Sequence, residues 1–109
     1  MRDGKVFLTT SYDIKDRTIV KTLGLVKGSS IRARHIGKDI QAALRNVVGG
    51  EVKEYTRLLA ESREQAIERM VEEARGLGAN AVIGVRFSTS SVMSGAAEML
   101  VYGTAVVIE

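Results

Sequence analysis

The alternation of apolar and polar positions divides the chain into two β-type regions separated by a helical one. Lys5-Val-Phe-Leu-Thr-Thr10 is a short β-type run, closed by the polar turn Ser11 to Asp16. From Arg17 to Ile31 apolar residues fall at odd positions (Ile19, Leu23, Leu25) and even ones (Val20, Val26), which predicts a second strand with cover on both faces. Gly24 and Gly28 interrupt this run, and a glycine inside a strand marks a bulge or the close approach of another backbone.

The period then changes. Ile36, Ile40, Ala43, Leu44 and Val47 recur at helical spacing and predict a short amphipathic helix from Ile36 to Val48, broken by Gly49-Gly50. A longer helix follows from Glu51 to Leu77, with Val52, Tyr55, Leu59, Ala66, Met70, Ala74 and Leu77 along one stripe. Glu51 and Glu54 in its first turn and Arg75 in its last suit the helix dipole. Gly78 follows the last periodic residue and is expected to end the helix with a positive φ.

Ala81 to Val92, the break Met93 to Ala96, and Ala97 to Ile108 read as a hairpin. Strands of about 11 residues run roughly 37 Å and a helix of about 27 residues roughly 40 Å, so the long helix is expected to lie across the full length of the hairpin. The predicted fold class is α+β: one domain over residues 1–109, a two-layer sandwich of an antiparallel sheet with one long and one short helix. In the last strand, Met99, Leu100, Val101, Tyr102, Ala105, Val106, Val107 and Ile108 leave almost no polar alternation. One helix layer covers one face. The row Met99, Val101, Ala105 and Val107, or its complement, is therefore expected to face outward and to be covered by a second copy of the chain. Charge placed at Val101 and Val107 should then dissociate or unfold the protein, whereas charge on the polar helix face, at Gln65 for example, should do neither.

Composition narrows the chemistry. Apolar residues make up 45% of the 109 positions and charged ones 27%, the balance of a chain that folds. No apolar run reaches the roughly 18 to 20 residues of a membrane span, and no signal-peptide stretch follows Met1, so an intracellular, cytoplasmic protein without membrane contact is expected. There is no cysteine and one histidine, which removes disulfides, thiolate metal sites and thiol nucleophiles. The net charge of +3 is uneven: five basic residues meet seven glutamates between Glu51 and Arg75, while Arg17 to Arg45 holds seven basic residues against Asp39 alone. No aromatic residue lies between Lys15 and Arg45 to stack on bases, so nucleic acid is not an expected partner and the segment reads as a solvated face.

Three local patterns imitate chemistry. Gly76-Leu-Gly78-Ala-Asn-Ala81 has dinucleotide-like glycines, but it closes a helix instead of opening one, so it reads as a cap. His35 and Asp39, four apart, could share a helix face, yet two ligands are too few for a metal site. Ser88-Thr-Ser-Ser91 has no nucleophile elbow and no histidine partner, and reads as strand decoration.

Gly24-Leu-Val26 with Gly28, then Asp39, Val48-Gly-Gly50, Tyr55, the Ala60 to Ala66 stretch, Gly78-Ala-Asn-Ala-Val82 with Gly84, and Gly103-Thr-Ala-Val106 give the chain a resemblance to the YbjQ-like family across nearly its whole length. That resemblance implies a dodecin-like α+β subunit assembled as a homopentamer, and a family connection with heavy metals. It supplies no catalytic residue. The expectation is a non-enzymatic homo-oligomer with no cofactor and no assigned catalytic or metal-ligating residue. A metal-binding oligomer, or a small ligand or anion held at subunit interfaces by the 17–45 segment, stands as the alternative.

Overall fold

A computed structural model of the chain describes residues 5–32, 49–93 and 96–109. Four strands and one helix run in the order β1 (Phe7–Leu8), β2 (Ile19–Arg32), α1 (Gly49–Gly76), β3 (Ala81–Met93) and β4 (Ala96–Ile108). The short helix expected over Ile36 to Val48, with His35 and Asp39, falls outside the described residues.

The strands form one sheet in the order β1-β3-β4-β2. β3 and β4 make the expected hairpin, with Phe87 opposite Val101 and Ser90 opposite Glu98, and β2 runs antiparallel to β4. β1 lies parallel to β3, Phe7 beside Ala81 and Leu8 beside Val82, so the sheet is mixed where an antiparallel one was expected. The cause is local. After Leu8 the chain stays beside β3, where Thr9 N–H donates to Val82 O and Gly84 N–H to Ser11 O; it then crosses to the other edge, where Thr18 and Glu109 exchange both backbone hydrogen bonds. β1 and β2 thus start from the same end of the sheet on opposite edges.

The glycines in β2 behave as their context required. Gly24 sits at a register shift against β4 with φ +118°, a bulge. Gly28 lies under α1 so closely that a Cβ there would stand 2.1 Å from Ala66 O and 2.5 Å from Met70 N. That contact sets the helix position. α1 packs chiefly on β2, less on β4 and little on β3, instead of spanning the hairpin as the length argument suggested.

Polar contacts fix the same placement. The buried Ser62 hydroxyl donates to the buried Ser30 hydroxyl at 3.1 Å, which donates to Gln65 Oε1 at 2.9 Å. Glu73 Oε1 accepts the Lys27 N–H at 2.8 Å, and the Arg69 guanidinium donates to Ser29 C=O. Gln65 is therefore engaged with the sheet, and it is not the inert surface position expected for it.

Ala66, Met70 and Ala74 on α1 are buried against Val26, Val82, Val85, Met99, Val101 and Ala105. Of the expected stripe, Ala66, Met70 and Ala74 lie in this core and Leu59 is half-buried; Leu77 is half exposed because the helix has already stopped, and the side chains of Val52 and Tyr55 lie outside the described residues. Gly78 has φ +89°; its N–H bonds to Arg75 O and that of Ala79 to Ala74 O, the paired bonds of a Schellman cap. α1 begins at Gly49, two residues before the expected start.

Among the described residues the second face of the sheet is covered at one end only. Ile14 and Ile19 pack there on Ala81, Ile83, Val106 and Ile108, so part of the second layer comes from the chain's own crossing segment. Met99, Val101 and Ala105 all lie beneath α1. A charge at Val101 thus probes this core and would unfold the subunit whatever its assembly.

Candidate functional site

Side chains of paired residues on neighbouring strands share a face, so the register lays out what the sheet presents away from α1. Leu25, Thr104 and Ile83 form one row, Lys27, Tyr102 and Arg86 the next, then Ser29, Leu100 and Ser88, then Ile31, Glu98 and Ser90. Only the first of these rows reaches the cover supplied by Ile14 and Ile19, through Ile83. Leu25 is 66% exposed, Ile31 57% and Tyr102 38%, with Leu100 half-buried beside them. An apolar patch studded with two cations, Lys27 and Arg86, and one carboxylate, Glu98, results.

Arg86 anchors one side of it. Its guanidinium stands 5.2 Å from the Tyr12 ring centroid and donates to Thr10 C=O at 2.9 Å, Val85 C=O at 2.8 Å and the Tyr12 hydroxyl at 3.0 Å. Tyr12 lies against Gly84, where φ is +62° and a Cβ would meet the ring at 2.6 Å. Arg86 is thereby committed to pinning the crossing segment. Three of its donors are already used, and its cross-strand neighbour Tyr102 separates it from Lys27. The pair does not converge on an anion.

At the other end of the hairpin strands, Asn80 closes the sheet with its side chain. Its Nδ2 donates to Ile108 C=O at 2.9 Å and its Oδ1 accepts Ile108 N–H at 2.7 Å, so the amide stands in for a strand partner. Periodicity carries no signal for this role, although the position of Asn80 between the cap glycine and β3 marks it.

Among the described residues no three side chains of His, Cys, Asp or Glu gather at one point. The exposed Glu61, Glu64, Glu68 and Glu72 run along the solvent side of α1, where the surface falls into two shallow depressions open to water. A convex row of carboxylates interleaved with Arg57, Arg69 and Arg75 is a solvated helix face and offers a soft metal none of the thiolate donors it prefers. Ser88 to Ser91 are exposed on β3 with no histidine beside them among the described residues; Glu98 lies opposite Ser90, and Thr89 donates to Met99 Sδ at 3.2 Å. No helix among the described residues is long and apolar enough to cross a membrane.

The profile of the YbjQ_1 family, described as "Putative heavy-metal-binding", matches residues 6–109. The chain belongs to the YbjQ family. Its similarity to other members is high throughout: it is 58% identical over 104 residues to a UPF0145 protein of Dehalococcoides mccartyi, covering 95% of this chain and 100% of that one. A UPF0145 protein of Hahella chejuensis is 57% identical with the same coverage, and one of Thermus thermophilus 54% identical over 96% of this chain and 92% of its own. Among solved structures, a protein of unknown function of the DUF74 family from Pediococcus pentosaceus superposes with a TM-score of 0.65 at 18% identity, over 95% of this chain and 98% of that one. That likeness concerns the fold. The heavy-metal description of the YbjQ family finds no donor set among the described residues, and the one imidazole, His35, lies outside them.

Proposed function

We propose that this YbjQ-family protein is a non-enzymatic, cytoplasmic protein whose encoded property is self-association into a homo-oligomer with a dodecin-like subunit arrangement. The family resemblance makes five the copy number. The observation that carries the reading is the uncovered sheet face: Leu25, Ile31 and Tyr102 stand in solvent on a face whose other end is sealed. Full burial of a large apolar side chain is worth about 1.5 to 3 kcal/mol, so covering three that are roughly half exposed would contribute a few kcal/mol, a sizeable share of a small domain's stability. Sedimentation equilibrium tests it. A mass that is a multiple of 11.8 kDa is expected, and a mass of 11.8 kDa throughout the micromolar range would sink the reading.

The family's description favours a second reading, a metal-binding oligomer. Equilibrium dialysis against zinc is expected to give no stoichiometric uptake. One zinc held per chain and lost in His35→Ala would establish the metal reading instead.

A further inference from the structure

Between β1 and β2 the chain runs from Thr10 to Arg17 without joining the sheet as a strand. Its two roots are firm. Thr9 donates to Val82 C=O and accepts from Val85 N–H, and Thr18 exchanges both backbone bonds with Glu109. The residues between these roots are exposed apart from the half-buried Ile14.

Few contacts hold them down. Gly84 N–H donates to Ser11 C=O at 2.8 Å, and the Arg86 guanidinium donates to Thr10 C=O and to the Tyr12 hydroxyl while standing over the Tyr12 ring. Ile14 packs on Ala81, Ile83, Val106 and Ile108. The other hydrogen bonds of the segment, among Thr9, Ser11 and Asp13 and between Arg17 and Ile14, are local to it. Asp16 has φ 66°, the left-handed region that a residue with a Cβ enters at a cost. Closing the segment therefore orders a run of chain and holds one residue in a disfavoured conformation, against one backbone bond, one guanidinium and one half-buried isoleucine. Segments with that balance are the ones that open while the rest of a fold stays intact.

We propose that Thr10 to Arg17 is a strap that opens from the intact sheet as a unit, with Arg86 as its latch. Opening withdraws Ile14 from Ala81, Ile83, Val106 and Ile108, so the apolar surface that starts at Leu25, Thr104 and Ile83 extends toward the end of the sheet. The strap thus sets how much apolar surface this face presents. It belongs to the single subunit and does not rest on the self-association reading.

A bulge in β3 gives the strap its own reporter. The register against β4 shifts between Ile83 and Arg86, and there two successive amides bond outward on the same side: Gly84 to Ser11 in the strap, Val85 to Thr9 in its root. Neighbouring amides therefore read the strap and its anchorage separately.

The test is native-state hydrogen exchange of these two amides, corrected for their intrinsic rates. In wild type, Gly84 is expected to exchange at least tenfold faster than Val85 and with a shallower dependence on denaturant. Arg86→Met, at an exposed position, removes the latch and should raise the Gly84 rate at least a further tenfold while Val85 and Thr18 stay within twofold. If Arg86→Met fails to fold, Tyr12→Leu takes its place, with the same divergence expected. Equal rates at Gly84 and Val85 in wild type overturn the strap. A variant that speeds both amides alike shows that the segment leaves together with β1, which also overturns it, and a folded variant with an unchanged Gly84 rate overturns the latch.

Discussion

The two long edges of this sheet receive opposite treatment. On β2, α1 overhangs the edge and its side chains take up the outward backbone: Glu73 holds the Lys27 N–H and Arg69 the Ser29 C=O. On β3, the helix is too far across the sheet to do so, and the outward groups after Val85 have no partner among the described residues. One position explains both. Gly28 lets the helix backbone descend onto β2, and a helix held there cannot also shield β3. Protection of one edge and exposure of the other are two results of a single close contact.

Gly28→Ala is the hardest blow to that arrangement. Its Cβ would lie 2.1 Å from Ala66 O, a backbone atom that cannot swing aside, so the helix must lift. A loss of about 3 kcal/mol or more in chemical denaturation is expected, with the Lys27 amide losing protection in hydrogen exchange. An unchanged midpoint would mean that α1 does not rest on β2 in solution.

Gly78→Val comes next. The positive φ there is closed to a β-branched side chain, and the change should cost about 1 to 3 kcal/mol without altering the β2 contact. Equal effects on the Lys27 amide and on the global midpoint would show that the cap and the edge contact cannot be separated.

Glu73→Ala removes the acceptor alone. About 1 kcal/mol is expected, together with faster exchange at Lys27 and a new tendency to associate through β2, visible as a rise in sedimentation mass. No change at Lys27 would remove Glu73 from its guarding role. The smallest effect belongs to Arg63→Glu on the exposed side of α1, within about 0.5 kcal/mol by thermal melting.

Much of this comparison was legible in the sequence, though not its direction. The stripe Ala66, Met70, Ala74, the cap at Gly78 and the hairpin follow from period and glycine placement, because these are local properties. Gly28 could be read as a close approach or a bulge, but nothing local says which backbone approaches. The helix was expected over the hairpin because length matched, whereas Ser62 and Ser30, buried and bonded to each other, place it on β2. Ser62 sits four residues before Ala66 on the stripe, and a small polar residue there is the one available sign. The parallel pairing of β1 and the covering role of Ile14 depend on where the segment after Leu8 crosses, which periodicity cannot encode. For the candidate surface, the apolar excess of β4 was visible, but the residues left in solvent are mostly those of its neighbours, Leu25, Ile31 and Phe87.

The strand order also sets when this protein can fold during its own synthesis. Among the described residues β1 pairs only with β3 and β2 only with β4, so each of the first two strands waits for a partner made after the helix. Until Ala96 to Ile108 has left the ribosome, β2 has no neighbour and Gly28 gives the helix no sheet to settle on. The nascent chain therefore carries a valine- and leucine-bearing strand in solvent until β4 has been made, and the sheet forms late and together.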